Sequence, residues 1–473
     1  MTTDFMLLMP LFIVTAGAIA LMLIAAYDKV TIEQAAYGSM GIFGLAFIFQ
    51  LTNCITGPVT PYDGVFSNMI VVSNFSKVAG LIILACGFFT AMSAQTYFKQ
   101  NTFCTVEFYS LMGFAAVGML LLSLVQELIS VFIALEIMSL AIYILVGYNR
   151  NRQTATEAVM KYLMLGAFAG AFFTMGTALV YGAAGSTHFA QIGQYVGANG
   201  FFENPLIVGG SFFILIAFLF KAAAFPFHAW VIDVYDGASS PITGYMATGL
   251  KTAIFAVFAN FIVSDESLRS SWVSYLFYIS VFTMFVGNLI AIGQDTLKRM
   301  LAASGIVHSG YLLIALVAIS ADNFSGSVLL YYLAAYSVGT LGIFAALSYL
   351  GGADEKRQSF DDFKGLAKVR PFSAAAITVF LLSMAGIPPT AGFMGKFFII
   401  TSAINAGQIA LAVLGIVSSI LSMWYYLRLI INMYFHEATD SFEDTAQTNA
   451  LAPIGTFILV VCVFVIGIYP VII

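Results

Sequence analysis

Charge is what this sequence has least of. Of 473 residues, 9% are charged and 61% hydrophobic, and the mean hydropathy is +0.96. That is far outside the usage of soluble domains and identifies a polytopic membrane protein. The net charge of -5 says little about partners, because the placement of charges matters more than their sum, and nothing points to nucleic acid. Cysteine is also sparse. Cys54, Cys86, Cys104 and Cys462 are isolated, with no CxxC and no Cys/His cluster, which argues against an iron–sulfur cluster or zinc in this chain. The four histidines, His188, His228, His308 and His436, include no pair spaced to hold a haem between two helices. The opening MTTDF lacks the basic region of a cleavable signal, so the first apolar run is expected to be a retained span. No segment is low in complexity, and no loop is long enough for a soluble domain.

What is present is a series of apolar runs of about 20 residues, the length that crosses ~30 Å of hydrocarbon as a helix. Fourteen emerge, near 5–26, 36–56, 74–97, 107–124, 127–148, 157–183, 206–224 with a continuation to 235, 240–263, 272–293, 300–319, 326–350, 372–400, 406–435 and 451–472. Charged connections separate them: Asp28-Lys29, Lys99, Arg150 to Arg152, Asp265-Glu266, Lys298-Arg299, and the run from Asp354 to Arg370. Residues 188–204 read as a short surface helix. When loops are counted alternately, twelve basic residues fall on one side and two, Lys77 and Arg269, on the other. By the positive-inside rule this asymmetry places both termini on the outer face and requires an even number of spans.

The remaining four basic residues, Lys161, Lys221, Lys251 and Lys396, lie within spans. An intramembrane charge costs roughly 2.5–3.5 kcal/mol even on insertion scales, so such residues are usually kept for function and face a polar interior. The stretch FKAAAFPFHAWVIDVYDGASSPITGYMATGLK holds Lys221 and Lys251 around Pro226. That proline denies the Ala222 carbonyl its hydrogen bond and opens the helix just past Lys221. Broken backbone at membrane depth is tolerated only where it is buried or lines a wet cavity, so this region reads as an ion pathway. A second break, LLSMAGIPPTAGFMGKFFII, precedes Lys396. Spans 7 and 12 are five apart, so spans 4–8 and 9–13 form two units of odd size that cross the membrane in opposite senses. The expected fold is all-α, with fourteen spans and two inverted five-helix repeats broken in helices 7 and 12. The corresponding divisions are 1–106, 107–263, 264–436 and 437–473.

Glu136, in the middle of span 5, is the deepest acid. The bland reading is a structural hydrogen bond; the functional one is a titrating partner for Lys221 within ~4–6 Å. Lys161 lies near enough to a span end to snorkel. His228 and His308 could relay protons, although a lone buried histidine is often a satisfied core residue. The glycines and prolines around Lys396 suggest a loose, hydrated setting in which arginine would be tolerated better than at Lys221.

These residues resemble the antiporter-like membrane subunits of respiratory complex I along essentially the whole chain. The segment FKAAAFPFHAWVIDVYDGASSPITGYMATGLKTAIF is similar to the family's central signature, and its DVYDGASSP string resembles the N-type branch, the counterpart of mitochondrial subunit 2. Lys396 agrees with that branch. The resemblance implies that Glu136 is the span-5 glutamate, Lys221 its lysine partner, Lys251 the relay lysine, Lys396 the terminal lysine, Lys161 the extra lysine of span 6 and His308 a relay histidine. Asp236 would stand where the family more often has glutamate. The implied function is one proton channel of a quinone-reducing translocase, with no redox centre, cofactor or metal in this chain. Quinone, FMN and iron–sulfur clusters would belong to partner subunits. Implied partners are neighbouring antiporter-like and small spanning subunits, together with lipid, in the inner (plasma) membrane. A multi-subunit sodium/proton antiporter and a membrane-bound hydrogenase are the alternatives.

Overall fold

The structure is a computed structural model. It describes every residue except 1, 27–29, 58–61, 66–67, 102, 265, 320–325, 439–440, 443–450 and 471–473. The charged positions Asp28, Lys29 and Asp265, and the end of the last apolar run, lie outside the described residues.

In chain order the spans are Thr2–Ala25, Ile32–Thr56, Asn74–Gln100, Glu107–Leu124, Leu128–Val146, Gln153–Ala184, Pro205–Ala222, Ser240–Val263, Glu266–Ile292, Leu297–Ala318, Ser327–Leu350, Pro371–Ala385 with Ala391–Asn405, Ile409–Phe435 and Leu451–Ile468. We number them 1 to 14. Among the described residues, thirteen are single helices long and apolar enough to cross a membrane. Span 12 consists of two half-helices of 15 residues each, so each rises only about 22 Å and the two must act together to cross ~30 Å of hydrocarbon. The surface helix expected near 188–204 is Phe189–Asn199. Among the described residues the strands form one small hairpin, Tyr62–Val65 paired antiparallel with Ile70–Val72, between spans 2 and 3.

Contacts between loops establish the alternation of spans. On one face, Asp354 N–H donates to Asn101, Arg152 pairs with Glu355, Lys298 donates to the Ala238 carbonyl, and Leu297 N–H donates to the Gln358 carbonyl. These contacts join the loops after spans 3, 5, 7, 9 and 11. On the opposite face, Gln126 N–H donates to Met69, Leu128 N–H to Thr187, and Arg269 to the Ile319 carbonyl. Those contacts join the connections at the other ends of the spans. The basic residues concentrate on the first face, here called the basic face.

Spans 8, 10 and 11 are the most enclosed, and every residue of span 10 but Arg299 is buried. Their apolar residues run all round the helix, as an interior position requires. Span 5 instead exposes Ile129, Ile133, Leu140 and Ile144 along one side, a stripe that suits lipid or a neighbouring protein. Span 8 departs from α-geometry at Met246–Leu250, a π-turn that ends where Lys251 begins the regular helix; such bulges often occur at functional positions.

Both breaks begin with a left-handed residue that caps the ended half-helix. Span 7 stops at Ala222, and Ala223 (φ 56°) sends the chain through Pro226 to a second half-helix, Trp230–Gly237. Span 12 stops at Ala385, with Gly386 (φ 86°) in the same role before Pro388 and Pro389.

Candidate functional site

At the first break Lys221 is buried. Its Nζ donates to Ser139 Oγ at 2.8 Å and Tyr143 Oη at 3.4 Å, and lies 5.4 Å from the Tyr143 ring centre and 5.5 Å from that of Tyr162. Among the described residues no carboxylate makes a direct ion pair within 4.0 Å of this ammonium, although Glu136 lies near enough to act on it electrostatically. The physical reason is register. Glu136, Ser139 and Tyr143 share one face of span 5 at helical spacing, and the break in span 7 aligns Lys221 with the two hydroxyls rather than with the acid. Glu136 is half-buried and faces span 6, its Oε1 3.4 Å from where a Cβ on Gly170 would stand. A turn away, a Cβ on Gly166 would lie 2.0 Å from Tyr143 Oη, so span 6 needs glycine there for that hydroxyl to reach Lys221.

From the first break a polar line enters the centre. The last carbonyl of the broken helix, on Ala222, accepts from Ser309 Oγ at 2.5 Å. Ser309 also donates to Gly305 O, and that same carbonyl accepts from Lys251 Nζ at 2.6 Å. The Lys251 ammonium lies 5.1 Å from the Tyr336 ring centre. A Cβ on Gly305 would stand 3.3 Å from Tyr336 Oη and 3.6 Å from Lys251 Nζ, so a side chain there would wedge between them. One turn along span 10, His308 bonds Tyr332 Oη through Nδ1 at 2.7 Å and Tyr426 Oη through Nε2 at 3.2 Å. A cavity with about 10 Å³ of space for a water centre is lined by His308, Tyr332, Tyr336, Ser383 and Lys396, among others. That is close to the room one water needs, and the lining supplies enough polar partners for it.

Lys396 closes the line, in a tighter setting than the loose and hydrated one expected, although it borders the water-sized cavity. It is 5% exposed and donates to the Ala385 carbonyl at 2.9 Å and Ser419 Oγ at 3.0 Å, with the Tyr311 ring centre 5.2 Å away. The glycines at this break do not loosen it. They let the lysine stem pack against the turn: a Cβ on Gly386 would come within 2.9 Å of Lys396 Cδ.

Two expected residues lie off this line. Lys161 is half-exposed and pairs with Asp233 and Glu157, both at 2.6 Å. Asp233 in turn pairs with Arg299, which also reaches Asp236. His228 is half-buried in the turn after the break and stacks on Phe225, its Nδ1 without a hydrogen-bond partner.

A buried charge cluster on the basic face escaped the sequence reading, which took Lys298 and Arg152 as ordinary loop residues. Glu355 is 2% exposed. It accepts from Lys298, Arg152, and both the N–H and hydroxyl of Ser240. Burial alone would raise this carboxyl, but Lys298, Ser240 and Arg152 outweigh it and hold the group down at about 2. The Ser240 N–H opens span 8, whose own N-cap, Ser239, makes no side-chain cap bond. A carboxylate from a distant loop therefore caps the helix that carries Lys251. Among the described residues, no three His, Cys, Asp or Glu side chains converge in a way that could hold a metal ion.

Residues 125–422 match the family described as NADH:quinone oxidoreductase/Mrp antiporter, TM. The chain is 36% identical over 462 residues to NADH-quinone oxidoreductase subunit N of Trichlorobacter lovleyi, covering 97% of this chain and 93% of the relative. It superposes on a chain of respiratory complex I from Thermus thermophilus, solved with bound Aureothin, with a TM-score of 0.82, 30% identity and 98% of each chain covered. A chain of the Mrp complex from a Dietzia species has the same fold, with a TM-score of 0.83 at 19% identity over 97% of this chain and 94% of that one.

Proposed function

This chain belongs to the NADH:quinone oxidoreductase/Mrp antiporter family of membrane subunits, and from that premise we propose that it is the N-type, proton-translocating subunit of an NADH:quinone oxidoreductase. The observation that carries the reading is the set of buried polar groups in otherwise apolar spans: Lys221 on the hydroxyls of span 5, the run from the Ala222 carbonyl through Ser309 and Gly305 to Lys251, and the cavity that His308 and Lys396 share. Each of the three lysines is held by neutral acceptors. With no carboxylate hydrogen-bonded to it, a buried ammonium keeps or releases its proton according to the charges near it. The chain thus supplies a row of protonatable groups. Glu136, on span 5 and facing span 6, is the carboxylate placed to perturb the first of them, while Lys161 and His228 belong to the basic-face mouth.

In this reading electron transfer occurs elsewhere: quinone, FMN and iron–sulfur clusters belong to partner subunits, and this chain holds none of them. Its neighbours are further antiporter-like and small spanning subunits, with lipid on the remaining apolar faces. The basic face is cytoplasmic and both termini lie on the outer side of the inner membrane. Residues 107–263 and 264–436 act as two inverted five-helix units, flanked by 1–106 and 437–473. A sodium/proton antiporter subunit is the rival, since the Mrp chain shares the fold; the 36% identity to a subunit N over nearly the full length of both chains favours the oxidoreductase.

The test is Lys251→Ala in the assembled complex in sealed inverted vesicles, with quinone reduction and proton uptake measured together. Proton uptake per quinone should fall about tenfold or more, as when a proton-transfer group is removed. A wild-type ratio, or sodium-dependent exchange that proceeds without quinone reduction, would overturn the reading.

A further inference from the structure

His308 is engaged at both ring nitrogens, and the two engagements differ. The Nδ1 partner, Tyr332, borders the cavity shared with Lys396 and sits at 2.7 Å. The Nε2 partner, Tyr426, sits at 3.2 Å and also hydrogen-bonds Ser304, which lies four residues before His308 on the same helix. A neutral imidazole donates from one nitrogen and accepts at the other. Hydroxyl donors approach to about 2.7–2.8 Å, whereas N–H donors commonly stand at about 2.9–3.2 Å. The short contact therefore fits Tyr332 O–H donating into a bare Nδ1, and the long one fits Nε2–H donating to Tyr426. In the arrangement proposed here Tyr426 gives its own hydrogen to Ser304, either oxygen of that contact being able to donate, and its oxygen is left as the acceptor. The tautomer with the proton on Nε2 is the one these distances favour.

We propose that Tyr332 is the hydroxyl through which His308 exchanges its proton with the cavity shared with Lys396, and that Tyr426, backed by Ser304, is a positioning residue that keeps Nε2 protonated. The proposal rests on the proton-translocation reading and adds a direction to it: His308 loads and unloads at one nitrogen. On loading, a proton that enters the cavity from the Lys251 side, where Tyr336 lines it, joins the Tyr332 oxygen while the hydroxyl's own proton passes to Nδ1, giving an imidazolium whose Nε2–H still points at Tyr426. On unloading, Nδ1–H returns its proton to the oxygen and the hydroxyl releases one to the cavity, where the amine of Lys396 takes it up. Tyr332 is neutral after each exchange, and no other bond changes.

The test uses Tyr332→Phe and Tyr426→Phe in the assembled complex. Both keep the aromatic ring, and with it the packing of ring 332 on His308 and Tyr311 at centroid distances of 5.9 and 6.0 Å. Protons translocated per quinone reduced are measured across the range in which imidazole titrates. Tyr332→Phe should lose translocation about tenfold or more, as for a lost proton-transfer group. Tyr426→Phe should lose about two- to fivefold, the worth of one net hydrogen bond, with a displaced pH profile because Nε2 is no longer pinned. Equal losses in the two variants, or wild-type translocation in Tyr332→Phe, would overturn the assignment. His308→Ala separates the two levels: if it abolishes translocation while Tyr332→Phe does not, only the tyrosine assignment falls. If His308→Ala also translocates as wild type, the route through His308 falls with it.

Discussion

In span 7 the lysine precedes the left-handed residue: Lys221 stands two positions before Ala223, on the half-helix that has just ended. In span 12 it follows: Lys396 stands ten positions after Gly386, on the half-helix that resumes. The consequence shows in who satisfies the orphaned carbonyl at each helix end. Ala222 O receives a neutral hydroxyl from span 10, Ser309, and Lys221 is left to answer to Ser139 and Tyr143 on span 5. Ala385 O receives Lys396 itself, with Ser419 alongside. An ammonium at a helix C-terminus also faces the negative end of the helix dipole, worth typically 0.3–1 kcal/mol and up to ~2 in partly buried geometries. The same residue type thus does one job at the first break and two at the second, where charge carriage and capping coincide.

The largest expected effects come from removing the lysines. Lys221→Ala should cut proton translocation about tenfold or more while the complex still assembles, because no helix end depends on that side chain. Lys396→Ala should do the same and also lower the thermal midpoint of the complex, since Ala385 O loses its charged partner. Assembly by native electrophoresis alongside pumping separates the two, and equal thermal midpoints would remove the distinction. Arginine comes next. It keeps the charge but does not release its proton in the working range, so Lys221→Arg should fail nearly as badly as alanine. Lys396→Arg should fail too, because the stem lies where even a Cβ at position 386 would stand 2.9 Å from Cδ and a guanidinium is larger. High residual pumping in Lys396→Arg would mean that the second break is as loose as its glycines suggest on paper.

That reversal marks where the sequence could be read and where it could not. Fourteen spans, the two breaks and the buried lysines follow from apolar run length, proline position and the cost of intramembrane charge, and all are properties local to one helix. Which groups face one another is not local. Nothing in the spacing of Glu136 and Lys221 says that Ser139 and Tyr143 take the hydrogen bonds of the ammonium while the carboxylate acts on it without direct contact. Glycines at 386, 392 and 395 read as flexibility, yet they serve as close-packing surfaces for Lys396 Cδ, Ser383 and Tyr332. The partners of His308 lie on spans 11 and 13, beyond any helical period. Ser309 was within reach, because it adjoins His308 in ASGIVHSGY.

The basic face ties the two breaks together, and its effect is intermediate. Glu355 precedes the turn of 119° that leads into span 12, and it caps span 8 while sharing Lys298 with the carbonyls of Asp236 and Ala238 at the end of the broken span 7. Removing one partner of a buried ionic cluster costs about 3–5 kcal/mol, so Glu355→Gln should lower thermal stability clearly and pumping only modestly. The pH dependence has a definite sign. The folded carboxyl sits near 2 against an ordinary 4.5, so its contribution is fully present above the ordinary value and fades as pH falls toward the folded one. The gap in thermal midpoint between wild type and Glu355→Gln should therefore hold from neutral pH down to about 4.5 and narrow below it. A gap that stays constant into the acid range would mean that the carboxylate charge is not what holds this face.

The smallest effect tests the turns themselves. Ala223 occupies the left-handed region at φ 56° and Gly386 at φ 86°, a conformation that costs an L-residue roughly 1–2 kcal/mol and glycine almost nothing. Ala223→Gly removes that cost but gives the unfolded chain back about 0.5–1 kcal/mol of freedom, so the thermal midpoint should move little, slightly upward if at all. Gly386→Ala takes on the full conformational cost and also places a methyl 2.9 Å from Lys396 Cδ. That atom cannot simply swing away, because the lysine is anchored at Ala385 O and Ser419. Gly386→Ala should therefore lower the thermal midpoint and impair pumping together, whereas Ala223→Gly leaves pumping unchanged. If the two exchanges proved equally silent, the second break could shift without disturbing its lysine, and the double role assigned to Lys396 would be lost.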